Sequence, residues 1–275
     1  MSVIQGILLG ILQGVAEFLP ISSSGHLDVA KNLFGLGDVP IIFDVLLHLA
    51  TLAAVCLYFR RKIWELLKTL ARWIAQKQAD QNEKQNRRMI IAIIISTAVT
   101  GVIGIATSKL IPNLSVKYVC AGFVITAILL IFSAMIEKRN ESKVKPAGNS
   151  KSPVSAIQAL FIGFMQGVGT LPGISRSGST IAGALFAGVD RKVAGEYSFI
   201  ISIPAILGAF ILEVKDLEKV SQTIGAAPIV AGCAAAFAAG YISLTLLMKI
   251  IQKGKLQWFA AYLIPAGIIG MIFLR

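Results

Sequence analysis

Apolar residues in this chain run in long blocks, and the polar residues between them are bunched rather than scattered. Six blocks, about 41–59, 89–108, 116–136, 198–214, 226–248 and 257–274, approach the twenty or so residues a helix needs to cross roughly 30 Å of hydrocarbon. They predict six transmembrane helices. Two further apolar segments, 3–20 and 155–172, read differently. Each runs into a Pro/Ser/Gly-rich turn and then a second, shorter apolar stretch.

Composition agrees with a membrane chain. Hydrophobic residues make up 56% of the 275 and charged residues only 15%, with a mean hydropathy of +0.77. A soluble domain is about one-quarter charged, so a soluble enzyme and a disordered tail are excluded. The net charge of +12 is concentrated: nine of the 26 Lys/Arg lie between Arg60 and Arg88, five between Lys138 and Lys151, and three between Lys249 and Lys255. Basic clusters beside apolar spans mark cytoplasmic loops and attract anionic lipid. That accounts for the charge with membrane lipids as partners and no nucleic acid. Residues 60–88, 137–154 and 249–256 are therefore expected inside, and 109–115 and 213–225 outside. The stretch 60–88 reads as a cytoplasmic helical extension of the flanking spans. The polar segment 138–151 reads as a linker between halves 1–137 and 152–275. Cys56, Cys120 and Cys233 stand far apart and offer no disulfide or zinc spacing. No Lys or Arg precedes Lys31, so 3–21 is expected to belong to the fold rather than to a cleaved leader.

These orientations constrain the two odd segments. If 41–59 runs from outside to inside, residues 1–40 begin and end outside. If 198–214 runs from inside to outside, residues 155–192 begin and end inside. Both are thus expected to be re-entrant helical hairpins entering from opposite faces. Irregular backbone at membrane depth survives only when it is buried in protein or lines a wet cavity, which directs attention to the hairpin tips.

The tips are copies of one another. QGVAEFLP-ISSSG at 13–25 aligns with QGVGT-LPGISRSG at 166–178, with nine identical positions. Inverted-topology repeats with broken helices are a transporter architecture in which the site lies between the repeats. The differences carry the chemistry. The first copy has Glu17, and His26 where the second has Ser179; the second has Arg176 where the first has Ser23. One tip offers a carboxylate, hydroxyls and an imidazole, and the other a guanidinium among hydroxyls.

Ionisable groups inside a membrane are costly and usually functional. Arg176 stands among Gly173, Ser175, Ser177, Gly178, Ser179 and Thr180 just before an apolar helix. Backbone amides at a helix start and a planar guanidinium fork together suit a phosphate. The alternative is a buried strut in which Arg176 pairs with Glu17 or Glu196. Glu17 lies one turn after Gln13, so the two share a face. One of Ser22, Ser23 and Ser24 is expected to cap a helix. His26 stands at the mouth of the turn, whereas His48 reads as a packed, hydrogen-bonded histidine within a span. Asp44 and Glu196 hold near-equivalent repeat positions and are candidates to support the site from behind.

At these motifs the chain resembles the undecaprenyl-diphosphate phosphatases, also called bacitracin-resistance proteins. The carriers are QGVAEFLPISSSGH at 13–26, PGISRSGST at 172–180, FDVLLHLATLAAV at 43–55 and EYSFIISIP at 196–204. The resemblance covers essentially the whole chain. It implies hydrolysis of undecaprenyl diphosphate to the monophosphate, which recycles the lipid carrier for cell-wall polymers. It also implies a bacterial cell membrane, a divalent cation (Mg2+ or Ca2+) and a site open to the extracytoplasmic side. By position, Glu17, Ser23, His26 and Arg176 match the family's catalytic residues, and Ser24, Ser175, Ser177 and Thr180 match supporting ones. Where the family often has a first Glu, this chain has Gln13, which leaves one carboxylate, Glu17, for a metal. The expected scheme has Ser23 as nucleophile, His26 as general acid/base and Arg176 as phosphate clamp, with His26 as nucleophile the competing assignment. A transporter or flippase of a polyprenyl phosphate is the rival function. A homodimer is among the assemblies the sequence admits.

Overall fold

A computed structural model describes residues 1–36, 39–110, 115–141, 154–214 and 224–274. Among them there are helices and no strands. In chain order these are α1 (Val3–Phe18), α2 (Ser23–Leu33), α3 (Ile41–Tyr58), α4 (Arg60–Ile74), α5 (Gln81–Leu110), α6 (Val116–Glu141), α7 (Ala156–Val168), α8 (Arg176–Phe186), α9 (Arg191–Glu213), α10 (Ala226–Gln252) and α11 (Ala260–Phe273), the last entered through a 3-10 turn at Leu256–Phe259. The protein is an all-α, multi-pass membrane protein: α3, α5, α6, α9, α10 and the Leu256–Phe273 segment are long and apolar enough to cross a bilayer.

Two boundaries differ from the sequence expectation. The fourth span starts at Arg191 rather than near 198, because the Asp190 side chain accepts from the Lys192 amide (2.9 Å) and caps a helix that takes in the polar turn before the apolar run. The basic stretch after α3 is not a continuation of that span. The chain turns at Phe59, and α4 is a separate amphipathic helix folded back on the start of α5. Polar pairing holds it there: Lys62 Nζ donates to Asn86 Oδ1 (3.2 Å), Asn86 Nδ2 donates to Thr69 Oγ1 (3.3 Å), and the Arg87 guanidinium lies 5.5 Å from the centre of the Trp73 ring. Residues 81–88 do extend α5 as expected. Most of the linker assigned to 138–151 lies outside the described residues; its first four positions continue α6.

Packing pairs the halves crosswise. Helix α1 lies on α10, α7 on α5, α3 on α9 and α6 on α11, so exchanging the halves maps each pair onto a counterpart or onto itself. Lipid tails are as apolar as Leu, so such contacts depend on close fit rather than on expulsion of water. The α1–α10 seam is made of small residues: Gly6, Gly10 and Gly14 meet Pro228, Gly232, Ala236 and Gly240 backbone to backbone. A Cβ on Gly10 would stand 2.1 Å from the Gly232 carbonyl oxygen. This seam fixes α1, whose last two turns carry Gln13 and Glu17.

Candidate active site

The site forms where two helices break. Pro20 cannot extend α1, and the chain turns through Leu19–Ser22, with Ser22 at φ +73°. Helix α7 ends at Val168, and a turn with Gly173 at φ +86° leads into α8. The two restarts are built alike at repeat-equivalent positions. Ser22 Oγ accepts from the Gly25 amide (3.4 Å), and Ser175 Oγ accepts from the Gly178 amide (3.1 Å). The expectation that one serine of Ser22–Ser24 caps a helix is met by Ser22.

Both breaks lean on α6. The Ser175 amide donates to Thr126 Oγ1 (2.9 Å), and Gly25 lies against the Phe123 ring. The Cα of Gly173 abuts α6, where a Cβ would stand 1.9 Å from the Val119 carbonyl oxygen. The breaks also touch each other, since a Cβ on Gly178 would lie 3.2 Å from the Pro20 Cβ. The repeat thus brings its two tips together, with their side chains at one point.

Glu17 is the hub. It is buried, with 6% of the residue exposed, and both of its oxygens have partners. One oxygen, Oε1, forms an ion pair with Arg176 from the other tip. The other, Oε2, accepts from Ser23 Oγ (2.7 Å) and Gln13 Nε2 (3.1 Å) and stands 3.3 Å from His48 Nε2. A buried carboxylate is tolerated when charge and hydrogen bonds both compensate it. The strut pairing of Arg176 with Glu17 is therefore present, and Arg176 keeps part of its side chain exposed beside the half-buried Ser23. Glu196 makes no hydrogen bond or ion pair with these residues among those described.

The remaining candidates lie around this hub. His26 lies three residues after Ser23 on α2 but does not hydrogen-bond to it. Its Nδ1 is 2.8 Å from the Ser22 carbonyl oxygen and its Nε2 is 2.7 Å from Tyr262 Oη, with the ring stacked between Phe123 and Tyr262. The carbonyl only accepts, so Nδ1 carries a hydrogen. The acceptor of the Ser23 hydroxyl's hydrogen bond is Glu17, not His26. Gly173, Ser175 and Thr180 are engaged in building the second tip: Gly173 makes the approach to α6, Ser175 caps α8, and Thr180 Oγ1 donates back to the Arg176 carbonyl (2.6 Å). Ser177 Oγ is 3.2 Å from Ser175 Oγ, and Ser24 is half-buried beside Ser23. Asp44 supports the site through its main chain, because its carbonyl oxygen is 2.7 Å from His48 Nδ1, while its carboxylate pairs with Lys31.

Sequence reasoning set His48 aside and did not consider Tyr262. His48 had a usable signal: an imidazole four residues after Asp44 within an apolar span is an expensive placement. Tyr262, in the last span, had none.

The donors suit a hard divalent cation. Among the described residues no three His, Cys, Asp or Glu side chains converge. Gln13 Oε1, however, is buried without a hydrogen-bond partner. With the Glu17 carboxylate and the Ser23 hydroxyl it gives oxygen donors of the kind that hold such ions with few protein ligands, leaving positions for phosphate oxygens and water.

Comparison with known proteins identifies the family. The chain is 47% identical to an undecaprenyl-diphosphatase of Treponema denticola over 98% of its own length and 96% of the relative's. It is 41% identical to an undecaprenyl-diphosphatase of Desulfatibacillum aliphaticivorans over 94% of each chain, and 36% identical to one of Borrelia recurrentis over 96% of each. The family described as bacitracin resistance protein BacA matches residues 6–269. A match over nearly the whole length, covering both helix breaks and the last span, means that the chain belongs to the BacA bacitracin-resistance family.

Proposed function

We propose that Ser23 is the nucleophile, with Glu17 its proton acceptor and Arg176 the phosphate clamp, of an enzyme acting on a lipid diphosphate. The chain is an integral-membrane phosphatase that converts undecaprenyl diphosphate to the monophosphate plus phosphate. The observation that carries the catalytic assignment is the 2.7 Å bond from Ser23 Oγ to Glu17 Oε2, on a carboxylate whose other oxygen faces Arg176.

A terminal phosphate carries more charge than a carboxylate and presents two oxygens to a guanidinium fork. On binding it draws Arg176 away from Glu17, which leaves that carboxylate free to take the Ser23 proton. Ser23 Oγ then attacks the terminal phosphorus, and the bridging P–O bond breaks to release the lipid monophosphate. Arg176 and the first amides of α8 stabilise the transferred phosphoryl group. In this first step His26, on the Ser23 face of α2, supplies a proton to the leaving oxygen. Water next attacks the phosphoserine phosphorus and gives its proton back to His26, while the Oγ–P bond breaks and Ser23 recovers the proton held by Glu17. A bound Mg2+ or Ca2+, held by Glu17, Gln13 and Ser23, would add positive charge at the phosphate oxygens.

Topology supports an extracytoplasmic entrance in a bacterial cell membrane. With the basic residues after α3 inside, Ile41 is the outer end of that span, and His48 lies about 10 Å below it at 1.5 Å per residue. The two breaks are then tips of re-entrant hairpins in halves 1–137 and 152–275, and the polyprenyl tail stays among the lipids. All assigned residues come from one chain, so this chemistry does not require the homodimer the sequence admits.

Phosphate release by purified protein in detergent, where no gradient exists, is the direct test. Release that depends on Ser23 supports the scheme. Lipid movement across vesicles without release from micelles would favour the flippase.

A further inference from the structure

We propose that His48 is a ligand of the divalent cation, so that the ion is held by a mixed Glu17, Gln13 and His48 set rather than by oxygen alone. This rests on the cation in the reading above and concerns only who holds it.

Three observations meet at this point. His48 Nδ1 lies 2.7 Å from the Asp44 main-chain oxygen, which can only accept, so the ring's hydrogen is on Nδ1. A histidine whose second nitrogen is tied to a backbone carbonyl is in the arrangement that orients metal-binding imidazoles. Its Nε2 then aims a lone pair at Glu17 Oε2, only 3.3 Å away. Two acceptors so close, one on a buried carboxylate and the other on a half-buried ring, call for something positive between them. The separation is near the edge, about 3.0 Å, of an octahedron with bonds of about 2.1 Å. Finally, Gln13 Oε1 is buried without a donor, on an amide whose Nε2 sits 3.1 Å from the same Glu17 oxygen.

A proton on His48 Nε2 would reconcile the imidazole with the carboxylate but would leave Gln13 Oε1 unanswered. A cation answers both, because turning the amide over brings its oxygen toward Glu17 Oε2 and the ion. The charge of Arg176 beside the ion is balanced when the diphosphate arrives. A nitrogen ligand also changes selectivity, since affinity for nitrogen-containing sites rises along the first-row ions from Mn2+ onward, whereas Mg2+ and Ca2+ prefer oxygen.

Mn2+ is the probe, on tag-free, full-length protein in detergent. Electron spin-echo spectra of the bound Mn2+ should show coupling to one imidazole nitrogen. The coupling should persist in His26→Ala and vanish in His48→Ala and His48→Gln. Direct titration should show Mn2+ binding weakened about 10–100-fold by either His48 change, and Mg2+ binding weakened less. If His48 were instead a protonated counter-charge, removing it would relieve repulsion and tighten Mn2+ binding; unchanged or tighter binding therefore overturns the proposal. The nitrogen coupling is read on the parent protein, so its absence overturns the proposal even where a variant does not fold. Phosphate release without nitrogen coupling removes only His48 as ligand, whereas no saturable Mn2+ binding by the parent removes the protein-held cation as well.

Discussion

Ser23 and Glu17 stand on consecutive helices, six residues apart in sequence, and the broken end of α1 turns the Ser23 hydroxyl onto the Glu17 carboxylate at 2.7 Å. The break is what makes this possible. In a continuous helix, positions six apart point to different sides. Removing either partner should stop the first chemical step. Ser23→Ala and Glu17→Gln should each lower kcat by about 10²–10⁴. Trapping with labelled substrate should then place the phosphoryl group on Ser23 in the parent chain. Acid-labile, alkali-stable phosphate on His26 would make His26 the nucleophile.

Arg176→Lys keeps a positive charge near Glu17 but loses the planar fork. The fold should persist, with thermal melting close to the parent's. Turnover should fall about 10²–10³-fold, the loss typical when one donor to a developing oxyanion is removed. Near-normal kcat/KM in this variant would mean that Arg176 is a strut and nothing more.

His26 is held by Tyr262 as well as by its own turn. Tyr262→Phe removes one hydroxyl and keeps the stacked ring, so it tests whether the 2.7 Å contact to His26 Nε2 orients the imidazole for proton transfer. Expected is a drop in kcat of about tenfold with KM little changed. On a His26→Ala background the same change should add nothing, because the two effects share one partner. Additive losses in the double variant would separate Tyr262 from His26.

Much of this site was legible in the sequence because a duplication wrote it twice. Apolar blocks located the spans, and the paired motifs located the breaks. The contrast of Glu17 with Arg176 suggested that opposite charges, 159 positions apart, would meet. What stayed hidden depends on packing across the bundle. Phe59 is no helix breaker by type, so the separation of α4 from α3 left no mark. Tyr262 reaches His26 across 236 positions, and His48 reaches Glu17 through the rotation of α3 about its axis. Gly173 looked like an amide brought close to an anion. Its packing against α6 is a further demand for glycine, from a neighbour that local sequence does not name.

Gly173 and Gly188 make a controlled pair. Both have positive φ, at +86° and +75°, but an added Cβ meets the Val119 carbonyl oxygen at 1.9 Å in the first and nothing within 4 Å in the second. Gly188→Ala should carry only backbone strain, about 1 kcal/mol. Gly173→Ala adds a collision with fixed backbone, about 1–3 kcal/mol more, and should also misplace Arg176. Melting in detergent should therefore show a small shift for Gly188→Ala and a large one, with lost activity, for Gly173→Ala. Equal shifts would mean that α6 does not brace the second tip.

Gln13 shares the Glu17 side of α1, and its geometry makes a signed prediction. Its Nε2 donates to Glu17 Oε2 at 3.1 Å. Gln13→Glu replaces that donor with a second acceptor, so without a cation two buried carboxylates repel across a short gap. With a cation, the same change adds a charged oxygen ligand, and such sites bind hard ions more tightly as carboxylates are added. The variant should therefore melt below the parent in EDTA and gain more than the parent when Mg2+ or Ca2+ is restored. Ligand binding to the folded state stabilises by RT ln(1 + [L]/Kd), so tenfold tighter binding at saturation adds about 1.4 kcal/mol. Phosphate release should reach half its maximum at a lower cation concentration than in the parent. The contrasting change, Glu17→Gln, should keep its loss of about 10²–10⁴ in kcat at every cation concentration, because it removes the Ser23 proton acceptor as well as the charge. If Gln13→Glu melts lower in EDTA and stays equally low with cation, the ion does not bind on this face of α1, and Gln13 serves only to orient Glu17.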